Sequence, residues 1–533
     1  MAQPTDSSSS DTAATKTIEV RSPASGLKIG EVKSHNADEA RVAIERARRA
    51  QEQWRRVDLE ERARIVRRFR DLLLERAEEV SELISQENGK VLQEAFEMEV
   101  FPIVDLASYF ATRASEILAR RRIGLHLLKH RRSYIDYLPR GVVLVISPWN
   151  FPFAIPFGEV IIALLAGNAV VLKPASLTPL IALKGRDLFE EAGLDGDLLQ
   201  VVPASGAVAF EMLGMGVDYV NFTGSTAVGA RVAAECGRNL IPCSMELGGK
   251  DPAIVLPDAD LDVVTGSLVW GAFANAGQVC ASIERAYVHE SVLDLVVRRV
   301  VEKTRQLRVG DPLADGTDVG AMTDAGQLEV VERQVERAIA SGASALTGGA
   351  RLQGHGQFYP PTVLVDVTDE MEVAREETFG PVLPIMKYAS LDEAIERANN
   401  SEYGLNAYLY TQDRVAAREI AGRLEAGTVM INETLITHAC PETPWFGIKR
   451  SGIGRVHSDD GMRDLCIAHH VNEEVVPVVR WSPFWQPYSH RMYRSLIGAA
   501  RALDHSELAT KALGARDFLS AIGEMIRHRK PAD

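Results

Sequence analysis

The sequence predicts an α/β fold in which helices cover both faces of a parallel, doubly wound sheet. Three observations lead to this prediction: strand-like and helix-like segments alternate from about residue 140, the alternation resumes after residue 250, and the chain has 533 residues. Alternating strands and helices are typical of parallel sheets. A chain of this length is too long for one small core, so we expect two or three domains.

The N-terminal part of the chain is predicted to be helical. The segment HNADEARVAIERARRAQEQW, residues 35–54, places Asn36 as a helix cap ahead of apolar residues at helical spacing. Amphipathic segments continue through residues 59–120. Their many Arg and Glu residues indicate a solvated helix face rather than a binding patch.

Strands and helices then follow one another in a regular order. The segment YIDYLPRGVVLVISPW, residues 134–149, is typical of extended chain that ends in an apolar strand. IIALLAGNAVVLKPAS predicts a helix, a turn at Gly167–Asn168 and a second strand. LIALKGRDLFEEAGL predicts a helix, LLQVVPA a strand, and VDYVNFTGST a strand that leads into the next helix.

Composition argues against several classes of function. The formal net charge is −14, whereas a nucleic-acid-binding protein normally carries a concentrated basic face, so no nucleic-acid partner is expected. The five cysteines form no CxxC pair and have no nearby His at zinc-ligand spacing, so no metal site is predicted. Sparse, odd-numbered cysteines indicate reduced thiols and a cytoplasmic location.

The N-terminus and the hydropathy pattern are consistent with that location. Residues 1–16 lack the charged and apolar regions of a signal peptide and are typical of a disordered tail. No apolar run approaches the roughly 20 residues that a membrane-spanning helix needs. We therefore expect no transmembrane segment.

Three short segments carry residues with catalytic potential, and each also has a plain structural interpretation. AFANAGQVCASIER, residues 272–285, surrounds Cys280 with small neighbours, although a single cysteine is usually a buried structural thiol. MELGGKDP places Glu246 beside two glycines, as a mobile base or as a surface carboxylate. SPWNFP holds Asn150 between aromatic residues and prolines, as an oxyanion donor or as a turn residue.

A fourth segment, NFTGSTAVGARVA, lies at a strand-to-helix junction. Gly224 allows the backbone to approach a ligand closely, and the start of the following helix offers free N–H groups to a phosphate. A P-loop needs Lys and Ser or Thr where this chain has Ala230 and Arg231, so nucleotide hydrolysis is disfavoured. A tight turn explains the glycine equally well.

Taken together and in order, seven motifs resemble the aldehyde dehydrogenase superfamily over roughly residues 17–475. They are SPWNFP, GNAVVLKP, FTGST, ELGGKDP, NAGQVC, EETFGPV and the loop Lys449–Arg455. The resemblance implies a Rossmann-type dinucleotide-binding domain, an α/β catalytic domain and a small β oligomerisation element. It also implies NAD(P) as the cofactor and oxidation of an aldehyde to a carboxylic acid.

The resemblance assigns roles to individual residues. Cys280 would attack the aldehyde to give a thiohemiacetal, Asn150 and the Cys280 backbone N–H would hold the oxyanion, and Glu246 would activate the water that hydrolyses the thioester. Positions matched to dinucleotide binding are Trp149, Lys173, Ser176, Gly224, Ser225, Glu377 and Phe379. Positions matched to the substrate tunnel are Phe151, Ile155, Val279, Ala281 and Trp445.

One departure from the family pattern and the character of the matched tunnel positions bear on specificity. Many NAD-preferring members carry Glu where this chain has Ser176. Without that carboxylate a 2′-phosphate is not repelled, so either NAD or NADP could be the cofactor. The matched tunnel positions are apolar, which favours a lipophilic aldehyde of the long-chain or carotenoid type. A succinate-semialdehyde dehydrogenase is the alternative: residues 149–158 contain no Arg, but Arg285 or Arg450 could still supply a positive charge for the carboxylate.

The resemblance also divides the chain into parts. Residues 17–122 and 140–247 are expected to bind the dinucleotide, residues 248–455 to form the catalytic domain, and residues 123–139 with 456–475 to join subunits in a homodimer or homotetramer. Residues 476–533 are an extension beyond the common pattern. Tyr493, Leu496, Ile497 and Ala500 share one face of a short basic helix there. Packing on its own domain, packing on a sister subunit and peripheral membrane contact all fit that face.

Two further classes of function were weighed against this prediction. An acylating enzyme, which passes the acyl group to coenzyme A, is disfavoured because Glu246 supplies a base for hydrolysis. A catalytically silent binding or scaffold protein would be expected to lose at least one of Cys280, Glu246 and Asn150, and all three are present.

Overall fold

The computed structural model describes residues 16–475, 485–486 and 488–527. The predicted disordered tail, residues 1–16, lies outside these ranges except for Lys16. The chain divides into two compact units, one formed by the residues up to 120 together with 136–469 and the other by residues 121–135 together with those from 470 onwards. Each unit is described by itself.

The strands are numbered in chain order. They are β1 Thr17–Arg21, β2 Lys28–Lys33, β3 Arg121–Ile123, β4 Arg131–Pro139, β5 Val142–Ile146, β6 Ala169–Lys173, β7 Leu199–Val201, β8 Tyr219–Thr223, β9 Cys243–Glu246, β10 Asp251–Val255, β11 Ile283–His289, β12 Ser344–Ala345, β13 Thr362–Val365, β14 Val382–Tyr388, β15 Asn406–Tyr410, β16 Thr428–Ile431, β17 Gly452–Ile453 and β18 Cys466–Glu474.

The helices are numbered in the same way. They are α1 Ala37–Trp54, α2 Leu59–Glu75, α3 Ala77–Asn88, α4 Leu92–Ala95, α5 Phe101–Ile117, α6 Ala154–Leu165, α7 Pro179–Glu191, α8 Gly206–Met212, α9 Thr226–Arg238, α10 Leu261–Phe273, α11 Leu293–Thr304, α12 Ala325–Ala340, α13 Glu372–Arg375, α14 Leu391–Asn399, α15 Arg414–Ala421, α16 Ser458–Asp464, α17 His490–Asp504 and α18 Leu508–Arg527. A π-helical turn, Phe96–Val100, joins α4 to α5.

Helix α1 begins where the sequence predicts. The Asn36 side chain accepts a hydrogen bond from the Glu39 backbone N–H, and the Glu39 carboxylate accepts one from the Asn36 N–H. This reciprocal capping box satisfies two backbone donors that a helix start otherwise leaves free. The predicted cap is confirmed.

The predicted doubly wound sheet is present as a six-stranded sheet in the order β17-β9-β8-β5-β6-β7. Strands β5 to β9 are parallel to their neighbours, and β17 joins the edge antiparallel to β9. The chain runs from β5 to β6 on one side and returns to β8 on the other, so β5 and β8 border the point where the strand order reverses. Ligands of such sheets bind beyond the carboxyl ends of the strands at this point.

A second sheet follows, as the renewed alternation after residue 250 predicts. Its order is β12-β13-β14-β11-β10-β15-β16, and every pairing is parallel except that of β12 with β13. Its central strands β10, β11, β14 and β15 are buried, and two layers of apolar side chains pack on the sheet. The division into a dinucleotide-binding and a catalytic domain stays a prediction; the two sheets fall in the two predicted segments, apart from β17.

The smaller unit contains strand β3, the beginning of β4 and the end of β18, which belong to a sheet ordered β18-β4-β3. It also contains a helical hairpin of α17 and α18. The predicted helix forms; Ser495 and Gly498 are buried on it, whereas Tyr493 of the predicted apolar face is 61% exposed. A side chain at Gly498 would meet the backbone of Gly514, so small residues set the contact between the two helices.

The expectation of a wholly solvated face over residues 59–120 is wrong at several positions. Lys90, Glu94 and Glu99 are buried, and so is Glu87, which accepts hydrogen bonds from the backbone N–H groups of Leu180 and Ile181 at the start of α7. Among the described residues, none of the helices is both long and apolar enough to cross a membrane.

Candidate active site

Two cavities in the larger unit meet at Cys280. One has a volume of about 720 Å³ and the other about 220 Å³, and Cys280 and Ile155 line both. The smaller cavity lies beyond the carboxyl ends of β5 and β8, where the strand order reverses. The thiol therefore borders both cavities.

The loop that carries Cys280 has an unusual backbone. A single 3₁₀ turn, Ala274–Gly277, follows α10, and residues 275, 276 and 277 have positive φ angles of 52°, 54° and 71°. Such angles are costly for residues other than glycine. The Gln278 side chain holds the turn by donating to the Asn275 carbonyl at 2.9 Å and accepting from the Thr323 N–H at 2.8 Å. The loop thus has one fixed shape.

Burial keeps Cys280 in its thiol form in this structure. It raises the pKa of the thiol far above the ordinary value, and the carboxyl groups of Asp251, Glu246 and Glu377 raise it further. The thiolate is the reactive form of cysteine. Before the sulfur can attack, a nearby base must therefore remove the thiol proton, or a positive charge brought by a ligand must stabilise the thiolate.

Glu246 lies at the end of β9 and lines the smaller cavity with Cys280. Strand β17 fixes it from the other edge, since Gly452 pairs with Glu246 in the ladder. Within the described part of the chain neither carboxyl oxygen has a hydrogen bond of normal geometry; the Trp445 side chain interacts with it only weakly. Burial, and then the nearby Glu159 carboxyl, raises the pKa of Glu246 well above its ordinary value.

Asn150 lies in the loop after β5 and is 4% exposed. Its side-chain Nδ2 donates one hydrogen bond to the Gln278 carbonyl at 2.9 Å, which leaves its second N–H for a ligand. Because Gln278 is two residues from Cys280, this bond fixes the amide beside the thiol. The two groups that an oxyanion site requires, an amide donor and the Cys280 backbone, are thus tied to one loop.

The smaller cavity brings together most of the predicted dinucleotide positions. Trp149, Gly224, Ser225, Glu377 and Phe379 all line it. The rings of Trp149 and Phe379 meet edge to face at 5.5 Å, and the Glu377 carboxylate accepts a hydrogen bond from the Gly249 N–H at 3.0 Å. Burial raises the pKa of Glu377 to about 8.

The cavity wall fits the pyrophosphate of a dinucleotide. The start of α9 supplies backbone N–H groups, and Ser225 at its cap makes no side-chain bond to them. A Cβ atom at Gly224 would lie 2.8 Å from the Phe222 ring, so any side chain there would clash with that ring or displace it. The donors and the space therefore suit a phosphate group.

Lys173 and Ser176 do not line this cavity. They lie at and after the end of β6, next to the other strands that supply the site. Lys173 is 7% exposed, and burial lowers its pKa to about 8. The Ser176 hydroxyl donates to the Ala204 carbonyl at 3.5 Å. Both positions suit the far, adenosine end of an extended dinucleotide.

The larger cavity contains all five predicted substrate positions, Phe151, Ile155, Val279, Ala281 and Trp445. The sequence did not indicate the rest of the wall, which comes from α4, the π-helical turn, α5, α10 and the loop after β16. These further lining residues are Gln93, Glu97, Met98, Phe101, Pro102, Asp105, Trp270, Leu435, Ile436, His438, Ala439 and Cys440. The amphipathic pattern of residues 92–105 is the signal in the sequence, and it was assigned to solvent.

The charged groups of the larger cavity are acidic. Glu97 and Asp105 line it, and no Lys or Arg does. His438 is neutral at physiological pH because burial lowers its pKa to about 4. Arg285 instead donates to the Lys250 and Ala398 carbonyls, and Arg450 pairs with Glu402 at the surface. The two arginines considered for a carboxylate-bearing substrate thus lie elsewhere.

A doubly wound sheet with a cavity at its switch point and a cysteine in the wall of that cavity is typical of cofactor-dependent α/β oxidoreductases. The chain belongs to the aldehyde dehydrogenase family, which it matches over residues 10–471. It therefore oxidises aldehydes to carboxylic acids with NAD(P) as the cofactor.

Individual relatives and solved structures agree with this assignment. A Mycolicibacterium smegmatis protein provisionally named succinate-semialdehyde dehydrogenase (NADP+) is 41% identical over 82% of this chain and 85% of its own. The 4,4'-diapolycopene aldehyde oxidase of a Methylomonas species is 37% identical over 90% of each chain. The NAD+ complex of a Bacillus cereus aldehyde dehydrogenase is 33% identical, covers 86% of this chain and 94% of its own, and has a TM-score of 0.83.

Proposed function

We propose that this enzyme oxidises long, uncharged, apolar aldehydes. The observation that carries the proposal is the larger cavity, about 720 Å³ in volume, which has Cys280 at one end and lining side chains that are mostly apolar. A buried carboxylate needs a paired cation, because an ion moved out of water without one is strongly disfavoured. Glu97 and Asp105 would instead repel a substrate carboxylate.

The two named relatives suggest different substrates. One name specifies a carotenoid-derived aldehyde and the other a short aldehyde that carries a carboxylate. The apolar, acidic lining favours the first kind of substrate. Succinate semialdehyde stays the second candidate, because of the printed name of that relative.

The proposed chemistry begins at Cys280. The thiol gives its proton to a base as the sulfur bonds to the carbonyl carbon. The carbonyl oxygen becomes an oxyanion that accepts hydrogen bonds from Asn150 Nδ2 and the Cys280 backbone N–H. The result is a thiohemiacetal on Cys280.

The thiohemiacetal must then lose a hydride to become a thioester. NAD(P)+, when bound, accepts that hydride. Gly224 and Ser225 at the start of α9 would hold the pyrophosphate, and Glu377 would accept hydrogen bonds from the ribose beside the nicotinamide.

Glu246 completes the cycle in this proposal. Its carboxylate takes a proton from water, the resulting hydroxide bonds to the thioester carbon, and the carbon–sulfur bond breaks to release the acid and regenerate Cys280. A carboxyl group in a dry site is a stronger base than one in water, because burial disfavours its charged form. The raised pKa of Glu246 suits this step.

The decisive experiment compares aldehydes of equal length with and without a charge. Purified enzyme is assayed for NADH and NADPH formation with butanal, succinate semialdehyde and the straight-chain aldehydes up to decanal. Each added methylene is expected to raise kcat/KM about fourfold, the equivalent of ~0.8 kcal/mol per buried CH₂, until the cavity is full. Butanal should exceed succinate semialdehyde.

The Cys280→Ala variant is the control, and it should form no reduced cofactor. A higher kcat/KM for succinate semialdehyde than for butanal would contradict the proposed substrate class. Turnover that persists in Cys280→Ala would contradict the proposed nucleophile. A folded wild-type protein that binds cofactor but turns over no aldehyde would support a silent binding function.

The smaller unit suggests how subunits join. Its sheet ends in the exposed edge strands β3 and β18, and the exposed apolar side chains Ile123, Leu127, Leu128 and Val475 lie in or beside it. Exposed strand edges pair readily with another chain. We infer that residues 123–139 and 456–475 join copies of the chain into a homodimer or homotetramer.

We also infer that the enzyme works in the cytoplasm, because its five free cysteines stay reduced there.

The C-terminal hairpin suggests a peripheral membrane contact. Exposed apolar side chains of this part of the chain are Trp485, Tyr488, Tyr493, Leu503, Leu508, Leu513 and Leu519. Residues 476–533 contain nine Lys and Arg against five Asp and Glu, whereas the whole chain has a net charge of −14. A basic segment with exposed aromatic and leucine side chains fits an anionic lipid surface, which would deliver a lipophilic substrate.

A further inference from the structure

A buried lysine lies behind the proposed oxyanion site. The Lys90 side chain is fully buried, and its Nζ donates to the Asn150 carbonyl at 2.9 Å and to Glu99 Oε1 at 2.6 Å. The same Nζ lies 4.1 Å from the centre of the Phe151 ring. Charge-assisted bonds in a dry interior are stronger and more sharply oriented than neutral ones. The lysine is thus a rigid contact of the Asn150 loop.

Glu99 extends this contact to the other end of the same loop. Its second oxygen, Oε2, accepts from the Phe153 and Ala154 N–H groups at 2.9 and 2.8 Å, where α6 begins. A carboxylate is stabilised at a helix start by the free N–H groups. One ion pair therefore holds residue 150 by its carbonyl and residues 153 and 154 by their N–H groups.

The loop of the nucleophile is connected to the same cluster. Asn275 Nδ2 donates to the Asn150 carbonyl at 3.0 Å and to the Gln278 carbonyl at 3.1 Å. The Asn275 backbone N–H donates to Glu94 Oε1 at 2.9 Å. The carbonyl of Asn150 thus has two donors, one from Lys90 and one from the strained loop before Cys280.

We propose that Lys90, paired with Glu99, is a positioning residue that fixes the amide of Asn150 beside Cys280. It touches neither substrate nor cofactor and acts by holding the Asn150 peptide in one orientation. Without the hydrogen bond from Lys90, only Asn275 would hold the Asn150 carbonyl, and the Asn150 side-chain amide would no longer be oriented toward the developing oxyanion. Small displacements of such donors matter because their bonds strengthen in the transition state.

The inference rests on the proposed role of Asn150, and the test separates the two. Lys90→Met keeps the length of the side chain and removes the charge. The readout is the pre-steady-state burst of reduced cofactor, which reports formation of the thioester. We expect the burst rate to fall about 10- to 100-fold, less than or similar to the loss of a whole oxyanion donor, with an unchanged Kd for NAD(P)+.

A double-mutant cycle distinguishes positioning from general destabilisation. In an Asn150→Ala background the amide is already absent, so adding Lys90→Met should change the burst rate less than about twofold, because coupled residues are not additive. A full further loss in that background would overturn the proposal. So would an unchanged burst in Lys90→Met alone while Asn150→Ala slows it. An unchanged burst in Asn150→Ala would instead overturn the role of Asn150 and, with it, this inference.

Two further variants keep the test interpretable. Lys184→Met also removes a lysine from an ion pair, that with Glu79 at 2.5 Å, but lies on α7 away from the site, and its burst should equal that of the wild type. If Lys90→Met does not fold, Lys90→Met/Glu99→Gln takes its place, because it leaves no unpaired buried charge. The same non-additivity with Asn150→Ala is expected, and additivity would overturn the proposal.

Discussion

At the scale of single residues, burial disfavours the charged forms of both Glu246 and Cys280. Thioester hydrolysis needs the Glu246 carboxylate, and burial raises the pKa at which that carboxylate appears. Steady-state turnover limited by hydrolysis should therefore be low in acid and rise as pH increases through the raised pKa. Rapid-mixing assays between pH 6 and 9 measure it, with the burst amplitude read beside the steady-state rate.

The Glu246→Gln variant checks the assignment of that pH dependence. It should keep a burst of reduced cofactor but lose about 10²- to 10⁴-fold in steady-state turnover, the usual range for removing a general base. A variant that retains the rising pH profile would show that another group is the base. Loss of both burst and turnover would show that Glu246 also takes the Cys280 proton.

Ser176 offers a second prediction at this scale. Many NAD-preferring family members carry Glu at the position of Ser176, whereas this chain has no carboxylate there. With Lys173 three residues earlier, a 2′-phosphate would meet a lysine and no repelling carboxylate. Ser176→Glu should lower kcat/KM with NADP+ at least tenfold relative to NAD+, because like charges brought together cost several kcal/mol. Ser176→Gln, of the same size but neutral, is the matched control, and an equal effect from both would contradict the electrostatic explanation.

At the scale of elements, the turn Ala274–Gly277 sets the position of Cys280. Gly277 has φ of 71°, and a Cβ atom there would lie 2.1 Å from the Gly380 carbonyl oxygen. Gly277→Ala should therefore destabilise the protein by at least about 2 kcal/mol, since the left-handed conformation alone costs ~1–2 kcal/mol. Gly237→Ala, in helix α9 with no neighbour within 4 Å, should leave stability unchanged or raise it. Thermal unfolding of both variants tests the difference.

Elements with local signals could be predicted from the sequence. Asn36 caps α1 as expected because capping depends only on residues three positions apart. The alternating strands form for a similar reason. Lys90 and Glu99 could not be predicted, because their spacing on a charged, amphipathic segment is the same for a solvated face and for a buried ion pair. Helices α3, α5 and α6 pack against the π-helical turn that carries Glu99, and this packing between elements is not encoded locally.

The same limit explains the helix face of the C-terminal hairpin. The most apolar stripe of α17 consists of Tyr493, Leu496, Ile497 and Ala500, and the hydropathy pattern therefore indicates it as the apolar face of the helix. The contact with α18 instead forms where Ser495 and Gly498 let the backbones approach. Shape, and not hydropathy, decided which face packs, and shape depends on the partner helix.

At the scale of the whole molecule, the candidate site joins residues that are far apart in the chain. Glu97, Asn150, Glu246, Cys280 and Trp445 line the two cavities although 348 positions separate the first from the last. No local rule places them together. The family resemblance indicated most of them because the order of the motifs carries the topology, but it did not indicate the acidic residues of the larger cavity, which lie in a segment without a family motif.

The apolar cavity and the C-terminal hairpin lead to one prediction for the whole molecule. A chain that ends after Val478 lacks the hairpin, so it should turn over short aldehydes at the wild-type rate but no longer sediment with vesicles containing anionic lipid. The full-length protein should bind such vesicles at low salt and bind them less as salt screens the charges of its Lys and Arg residues. It should not bind vesicles of neutral phosphatidylcholine. Arg494→Gln/Arg501→Gln/Lys511→Gln keeps the hairpin but weakens its charge, and should fall between the two. Vesicle binding that survives the truncation, or that does not respond to salt, would contradict the contact.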